Sequence, residues 1–228
     1  MFYMIFSKES RRERCLCVND NIADAKLVRS RLKGGIKMDI YELIKSRRTI
    51  RKFEQKAIEK DLLIKMTDAA RVAPSGANLQ PLKYVIVNSK EMTDKVFEYV
   101  RWAGYLAPDY NPKEDEKPTA YIAVYGDLSI KKQGFETDMG AAVENLILTA
   151  LSSGIGACWM GAIDYEKITE LLDAGEDLKL LCVVALGYPK EEPKETEMAD
   201  GNVKYFLDSD NVLNVPKRSI DEVMVKIL

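Results

Sequence analysis

The stretch DMGAAVENLILTALSSG, residues 138–154, is a continuous helical pattern that is apolar on nearly every side and ends in Ser-Ser-Gly. A helix with so little polar surface belongs at the centre of a core or in an interface between two subunits. Its residues Gly140, Ala141 and Ala142 are small enough to let another backbone approach closely. The stretch therefore predicts a central helix around which the domain is built.

The segments on either side of this helix alternate between helical and strand patterns. The predicted helices are Asp39–Ser46, Glu59–Arg71 (with Leu62, Met66 and Ala70 on one face) and Tyr165–Leu172, and the predicted strands are Lys83–Asn88, Ala120–Gly126, Cys158–Ala162 and Leu178–Leu186. The GIG at residues 154–156 follows a helix and precedes a strand, which is the reverse of a Rossmann nucleotide-binding turn. A Pro/Glu/Lys-rich stretch at 189–197 has the composition of a linker.

Composition limits the class of protein. With 228 residues, 46% of them hydrophobic and 31% charged, the chain can form one domain, or a large domain with an extension. No stretch reaches ~18 uninterrupted apolar residues, so no membrane span is expected. Four cysteines, Cys15, Cys17, Cys158 and Cys182, lack the spacing of a disulfide framework, which indicates reduced thiols in a cytoplasmic protein.

The first 37 residues differ from the rest in charge. They contain nine Lys/Arg against four Asp/Glu, although the whole chain has a net charge of −2. A basic arm on an acidic body is one arrangement used for nucleic-acid contact. A solvated arm, or a natural start at Met38, also explains the pattern, and both explanations are preferred to a nucleic-acid partner. We therefore expect an N-terminal extension over 1–37 and one domain over 38–228.

The chain contains no histidine. This excludes a Ser-His-Asp or Cys-His nucleophile, a histidine general base and a His-ligated zinc site. Acid–base chemistry by Asp, Glu, Lys or Tyr stays open, as does chemistry carried by a bound cofactor. We expect no metal site.

Basic side chains cluster after the first helix. Arg47, Arg48 and Arg51, with Thr49 between them, offer guanidinium and hydroxyl donors that suit a phosphate group. A second basic pair, Lys217 and Arg218, precedes a short terminal helix. The alternative for the first cluster is a solvated turn whose arginines pair with surface carboxylates.

A neutral loop, APSGANLQP, occupies residues 73–81. It carries a hydroxyl and two carboxamides but no charge, which suits a neutral, planar, polar ligand. Turn formation and capping are the alternative roles for Asn78 and Gln80, because such side chains commonly satisfy loops.

Five of these pieces, taken in order, resemble the flavin-dependent nitroreductase family: RRTIRKF, APSGANLQP, GAAVENLILTALSSGIG with CWMG, ALGYP and PKR. The resemblance covers about Met38 to the C-terminus. It implies an α+β fold with a mixed β-sheet flanked by helices, and an intertwined homodimer with FMN at its interface.

The resemblance also implies roles for particular residues. Arg47, Arg48, Thr49 and Arg51 would hold the phosphate and ribityl end of FMN, joined by Lys217 and Arg218. Pro74, Ser75, Gly76 and Asn78 would come from the other subunit and reach the ribityl chain and ring. Met160 and Gly161 would lie near the ring edge, where the family aims a backbone N–H at the reactive nitrogen. No side chain is expected to be an essential acid or base.

The segment at 101–118 is where such enzymes differ and where a substrate lid would lie. It offers Trp102, Tyr105, Leu106 and Tyr110, which could stack on a planar substrate or could pack beneath a long loop. The function implied is two-electron transfer from NADH or NADPH, through FMN, to an oxidised aromatic, quinone or nitro acceptor by a ping-pong mechanism. A reductive dehalogenase of the same family, or a flavin-binding module without appreciable turnover, is the alternative.

Overall fold

The computed structural model describes residues 39–228, so the expectations for residues 1–37, for Met38 and for Cys15 and Cys17 lie outside it. The helices are α1 (Ile40–Ser46), α2 (Lys60–Arg71), α3 (Lys90–Glu98), α4 (Glu136–Ser152), α5 (Tyr165–Leu172) and α6 (Ile220–Val223). The strands are β1 (Phe53–Glu54), β2 (Leu82–Val87), β3 (Ala120–Asp127), β4 (Gly156–Met160), β5 (Leu178–Pro189), β6 (Lys194–Glu197), β7 (Phe206–Leu207) and β8 (Leu213–Lys217).

The main sheet is organised around β5. This long strand pairs antiparallel with β1, β3 and β4, and β2 pairs antiparallel with the other side of β3. A smaller sheet has the order β6-β8-β7, with β6 parallel to β8 and β7 antiparallel to it. The α+β class is confirmed, and the parallel pairing within residues 39–228 lies in the smaller sheet.

Strand β3 separates two hydrophobic layers, because successive side chains of a strand point to opposite faces. Ala120, Ile122 and Val124 pack with buried residues of α2 and α4. Tyr121 and Tyr125 face the other layer, which also holds buried residues of α3 and α5. Both faces of the sheet are therefore covered by helices.

The central helix predicted from residues 138–154 is α4, which begins two residues earlier at Glu136 and ends at Ser152. In α2 the buried face is Leu63, Met66 and Ala70, whereas Leu62 is only partly buried. The linker interpretation of 189–197 is wrong, because β5 continues to Pro189 and β6 occupies 194–197. Helix α3 and the small sheet were not predicted.

Two further findings concern the residues from 39 onwards. None of their helices is long and apolar enough to cross a membrane. Cys158 and Cys182 are free and buried. Burial raises the pKa of Cys158 to about 11 and that of Cys182 to about 12, so both thiols are protonated at neutral pH.

Candidate functional site

The arginine segment, residues 47–51, is fixed to the main sheet by a backbone hydrogen bond and by the packing of Ile50 and of Phe53, which follows the segment. Ile50 donates its backbone N–H to the Ala157 carbonyl over 3.0 Å. A Cβ added to Gly156 would lie 2.8 Å from the Ile50 Cβ, and one added to Gly187 would lie 2.7 Å from the Phe53 ring. Because glycine occupies both positions, the segment can lie directly against β4 and β5.

Arg47 and Arg48 meet different carboxylates. Arg47 Nε lies 3.5 Å from a carboxylate oxygen of Glu144 on α4. The Arg48 side chain is only 12% exposed, and its guanidinium donates to the Glu195 carboxylate of β6. Arg48 Nε is also buried and has no hydrogen-bond partner. A buried donor without a partner carries a desolvation cost that a bound anion would relieve.

Burial lowers the pKa of the Arg48 guanidinium, Glu195 opposes that effect, and Arg47 adds to it. An arginine stays protonated at physiological pH even so. The Arg48 guanidinium thus stays positively charged although it is largely removed from water, which strengthens its attraction for an anion such as the Glu195 carboxylate.

Arg51 and the following residue are held by Glu191. The Glu191 carboxylate accepts from the backbone N–H groups of Arg51 and Lys52, and from the Tyr110 hydroxyl. The Arg51 guanidinium carbon lies 4.8 Å from the centre of the Tyr205 ring. The arginine segment is therefore tied both to the 101–118 segment and to the chain leading into β7.

The second basic pair lies at the end of β8. Lys217 and Arg218 are exposed, and Arg218 donates to Glu222 over 3.1 Å. In the parallel pairing of β6 with β8, Glu195 is opposite Val215 and Glu197 is opposite Lys217. Lys217 thus belongs to the same small sheet as the carboxylate that meets Arg48.

The neutral loop adopts a backbone that L-residues rarely use. Ala77, Asn78 and Gln80 have φ of 50°, 54° and 51°. Ser75 Oγ accepts from the Gln80 backbone N–H over 3.0 Å, and the Gln80 amide donates to the Asn78 carbonyl over 3.2 Å. Gln80 therefore has the turn-satisfying role left open above. Pro74, Gly76 and Asn78 are exposed.

Asp138 of α4 holds this loop against the helix. Its side chain is buried, and it accepts from the Gly76 N–H over 2.9 Å and from Lys131 Nζ over 2.6 Å. Burial alone would raise the pKa of the Asp138 carboxyl, but hydrogen bonds from Lys131, Gly76 and Ser75 outweigh it and hold the pKa below its usual value. The Asp138 carboxylate is thus ionised and accepts hydrogen bonds from all three groups.

Helix α4 contacts the neutral loop and the arginine segment from different faces. Asp138 contacts the loop and Glu144 contacts Arg47, six residues further along. Six residues correspond to about 9 Å along the axis and about 240° around it. No hydrogen bond or ion pair joins the loop to the arginine segment within the described part of the protomer.

The end of β4 supplies the remaining expected cofactor residues. Met160 is buried in the layer that also contains Ile50, and Gly161 is exposed just beyond the strand. The Tyr165 hydroxyl donates to the Gly161 carbonyl over 3.0 Å. This bond links the turn after β4 to the start of α5.

The four side chains expected in a lid divide into two kinds. Trp102 and Tyr110 are buried, and Leu106 packs with Tyr110 and Leu213, so these three have the packing role that was the alternative. Tyr105 is 55% exposed, and its ring lies 4.9 Å from that of Tyr205. Of the four, Tyr105 is therefore the one whose side chain is largely exposed.

Sequence reasoning missed four residues that hold the site in place: Asp138, Glu191, Glu195 and Tyr205. An acidic residue near a helix start and carboxylates in a Glu/Lys-rich stretch look like solvated charges. Arg48 and Glu195 are 147 positions apart, so their pairing has no local signal.

Comparison with known proteins identifies relatives. The profile of the nitroreductase family matches residues 44–123 and 120–188. A protein of Methanothermobacter thermautotrophicus with the provisional name NADH dehydrogenase/NAD(P)H nitroreductase is 34% identical over 170 residues, which are 72% of this chain and 84% of the relative. An iodotyrosine deiodinase of Thermotoga neapolitana is 27% identical over 170 residues, covering 68% and 90%.

A solved structure shares the fold. It is a provisionally assigned nitroreductase of Desulfovibrio desulfuricans in complex with FMN, with a TM-score of 0.62 and 20% sequence identity. The alignment covers 84% of this chain and 98% of that one.

Proposed function

The chain belongs to the nitroreductase family, and from this premise we propose that it is an FMN-dependent oxidoreductase that acts as a homodimer. It transfers two electrons from NADH or NADPH to an oxidised aromatic, quinone or nitro acceptor by a ping-pong mechanism. The observation that carries the proposal is the family relationship over residues 44–188, a span that contains both the arginine segment and the neutral loop.

The arginine segment suits the phosphate of FMN. Arg48 Nε is a buried donor without a partner, and the guanidinium groups of Arg47 and Arg51 come from the same short segment. A phosphate offers three acceptor oxygens and about two negative charges to such donors. The full set proposed for the phosphate and ribityl end is Arg47, Arg48, Thr49, Arg51, Lys217 and Arg218.

The loop suits the ring and the ribityl chain. Pro74, Ser75, Gly76 and Asn78 present neutral groups, so they can hydrogen-bond to a polar ring without imposing a fixed charge on it. The loop is largely exposed and has no polar link to the arginine segment of its own protomer. This supports a pocket completed by the loop of a second subunit, with Met160 and Gly161 near the ring edge.

The protein's contribution is to bind and orient. FMN, when bound, supplies the two-electron chemistry, so the absence of histidine from the chain is compatible with an enzyme. Cys158 and Cys182 are buried and protonated, which leaves no described thiol as a nucleophile. The Glu191 and Asp138 carboxylates accept hydrogen bonds from backbone N–H groups and so hold the arginine segment and the loop in fixed conformations.

A second acceptor class comes from a specific relative. The 27% identity to an iodotyrosine deiodinase favours reductive dehalogenation of an aromatic as an alternative reaction at this site. Tyr105, exposed and beside Tyr205, is an aromatic surface for either kind of substrate. Assays with a quinone, a nitroaromatic and a halogenated phenol as acceptors distinguish the two reactions.

The cofactor is tested on the purified protein. We expect yellow material that releases FMN on denaturation, identified by absorbance and chromatography. Colourless protein that does not bind added FMN would contradict the proposal.

The order of electron transfer is tested by initial rates. A single site that serves donor and acceptor in turn predicts parallel double-reciprocal lines when the nicotinamide is varied at several acceptor concentrations. Intersecting lines would indicate a ternary complex and would remove the ping-pong mechanism. Bound FMN that neither nicotinamide reduces would instead support a binding module.

A further inference from the structure

Arg48 is already paired with an anion that belongs to the protein. Its side chain is 12% exposed and its guanidinium donates to Glu195 of β6, while a second N–H donates to the Arg47 carbonyl over 2.5 Å. Sequence reasoning assigned this arginine to a phosphate and assigned nothing to β6. The same guanidinium therefore has two candidate partners of like charge.

Glu195 has a second cation within reach. Its other carboxylate oxygen lies 3.9 Å from Lys45 Nζ, at the limit of an ion pair. Lys45 is on α1, and its side chain is half exposed. A carboxylate that leaves Arg48 can thus turn towards Lys45 without becoming an isolated charge.

We propose that Glu195 is an internal competitor for the FMN phosphate: it holds Arg48 when the phosphate is not bound and moves towards Lys45 when the phosphate arrives. Strand β6 is then part of the cofactor site, and its carboxylate lowers the affinity for phosphate-bearing ligands. The inference rests on the proposed function for the identity of the ligand.

The phosphate and the Glu195 carboxylate are expected to compete for the Arg48 guanidinium, and not to bind it together, because both are negatively charged. A phosphate with about two negative charges and a carboxylate on one guanidinium would lie only a few ångströms apart and repel each other. The Glu195 side chain is 35% exposed, so it can be released into water at moderate cost. The unpartnered Arg48 Nε gives the phosphate a donor that Glu195 does not use.

The test compares two ligands on Glu195→Gln. Glutamine keeps the size and hydrogen-bonding ability of the side chain but removes the competing charge. We expect the Kd for FMN, measured by flavin fluorescence on apoprotein, to fall about five- to tenfold, at the lower end of the usual coupling between two binding events. The Kd for riboflavin, which lacks the phosphate, should stay unchanged.

The matched control is Glu54→Gln. Glu54 of β1 is exposed, forms no ion pair with any residue from 39 onwards, and is not one of the residues proposed to hold the phosphate. Its removal makes the same change in net charge. A comparable gain in FMN affinity would show that the net charge of the protein, and not the Arg48–Glu195 contact, is responsible, and it would overturn the proposal. So would an unchanged or raised Kd for FMN in Glu195→Gln, or an equal gain for riboflavin.

Binding of inorganic phosphate keeps the inference separate from the proposed function. Inorganic phosphate should raise the Tm of Glu195→Gln more than that of the wild type, whether or not FMN is the ligand. If the wild type binds phosphate but not FMN, the proposed function fails and the competition stands.

If Glu195→Gln and Glu195→Ala both fail to fold, by circular dichroism, the carboxylate is required for structure and the proposal is overturned.

Discussion

Asp138 is the residue on which the conformation of the neutral loop depends. Ala77 and Gln80 have positive φ, which costs about 1–3 kcal/mol at each such position. The bond from the Gly76 N–H to Asp138 helps to offset that cost, and Lys131 keeps the carboxylate ionised in a buried place. The loop is thus held by an ion pair that lies beneath it.

Asp138→Asn tests this anchor. Asparagine can still accept from Gly76, but it leaves the Lys131 ammonium without its partner, so we expect unfolding to become easier by about 2 kcal/mol. FMN binding should also weaken, because the loop would lose its fixed conformation. Urea denaturation and FMN titration measure the two effects.

The control for this substitution is Asp68→Asn. Asp68 pairs with Arg71 over 2.7 Å on the surface of α2, with both side chains more than 60% exposed. Such a pair contributes well under about 1 kcal/mol, so little change is expected. An Asp138 variant as stable as the Asp68 variant would show that the anchor is unimportant.

The Asp138 anchor should also depend on pH. Its folded-state pKa is depressed below the usual 3.8, so the unfolded chain takes up a proton first as the pH falls. The stabilisation is therefore fully present above about pH 5 and is lost as the pH falls through the folded-state pKa. The stability difference between wild type and Asp138→Asn should shrink below about pH 4, as followed by urea midpoints. A difference that persists unchanged at pH 3 would contradict this assignment.

At the residue scale, the sequence pattern indicates the cluster of guanidinium groups but not the carboxylates that hold the cluster in place. Arg47, Arg48 and Arg51 are visible because three guanidinium groups lie within five residues. Glu195 and Glu191 are not, because each reaches the segment from about 140 positions away. Only the folded sheet brings them together.

At the scale of elements, two glycines place the arginine segment. Gly156 of β4 and Gly187 of β5 leave the space that Ile50 and Phe53 fill. Since Arg47, Arg48 and Arg51 lie within three residues of Ile50, a change in the packing of Ile50 that displaces its backbone would displace theirs as well.

Gly156→Ala tests this packing. The new Cβ would lie 2.8 Å from Ile50, so Ile50 must move, and we expect a loss of about 1–3 kcal/mol in stability. The affinity for FMN should fall with it. Gly104→Ala is the control, since its Cβ would meet nothing within 4 Å. Equal Tm values for the two variants would show that the close approach is not limiting.

The elements that the sequence predicts well are those with a long pattern. Helix α4 is apolar over four turns, and β3 and β5 are long buried strands, so their types are evident. Strands β1 and β7 have two residues each, and β6 reads as a charged linker, KETE. Their pairing depends on partners far along the chain, which no local pattern reveals.

At the scale of the whole molecule, much apolar surface is exposed in the single protomer. Ile40, Tyr41 and Ile44 of α1 project outwards, as do Ile227 and Leu228 at the C-terminus. Apolar groups in such number are costly in water and mark interaction surfaces. Together with the separation of the loop from the arginine segment, they support the proposed homodimer with shared FMN sites.

The shared site leads to a quantitative prediction. Suppose that Arg48→Ala and Asn78→Ala each abolish FMN binding in their own homodimers. If the two residues reach one pocket from different subunits, a mixed dimer has both defects in one pocket and none in the other. Refolding an equal mixture gives half mixed dimers, so about a quarter of the wild-type FMN capacity should return, as two-fold symmetry requires.

Recovery of binding separates two geometries that a single protomer cannot distinguish. If Arg48 and Asn78 served the same pocket from the same chain, every pocket in a mixed dimer would retain one defect and no FMN would bind. Each variant must first be shown to be folded and dimeric by circular dichroism and sedimentation, because a collapsed subunit would also give no recovery. Zero recovery with mixed dimers present would therefore contradict the assignment of the loop to the partner subunit, while leaving the arginine segment as the phosphate site.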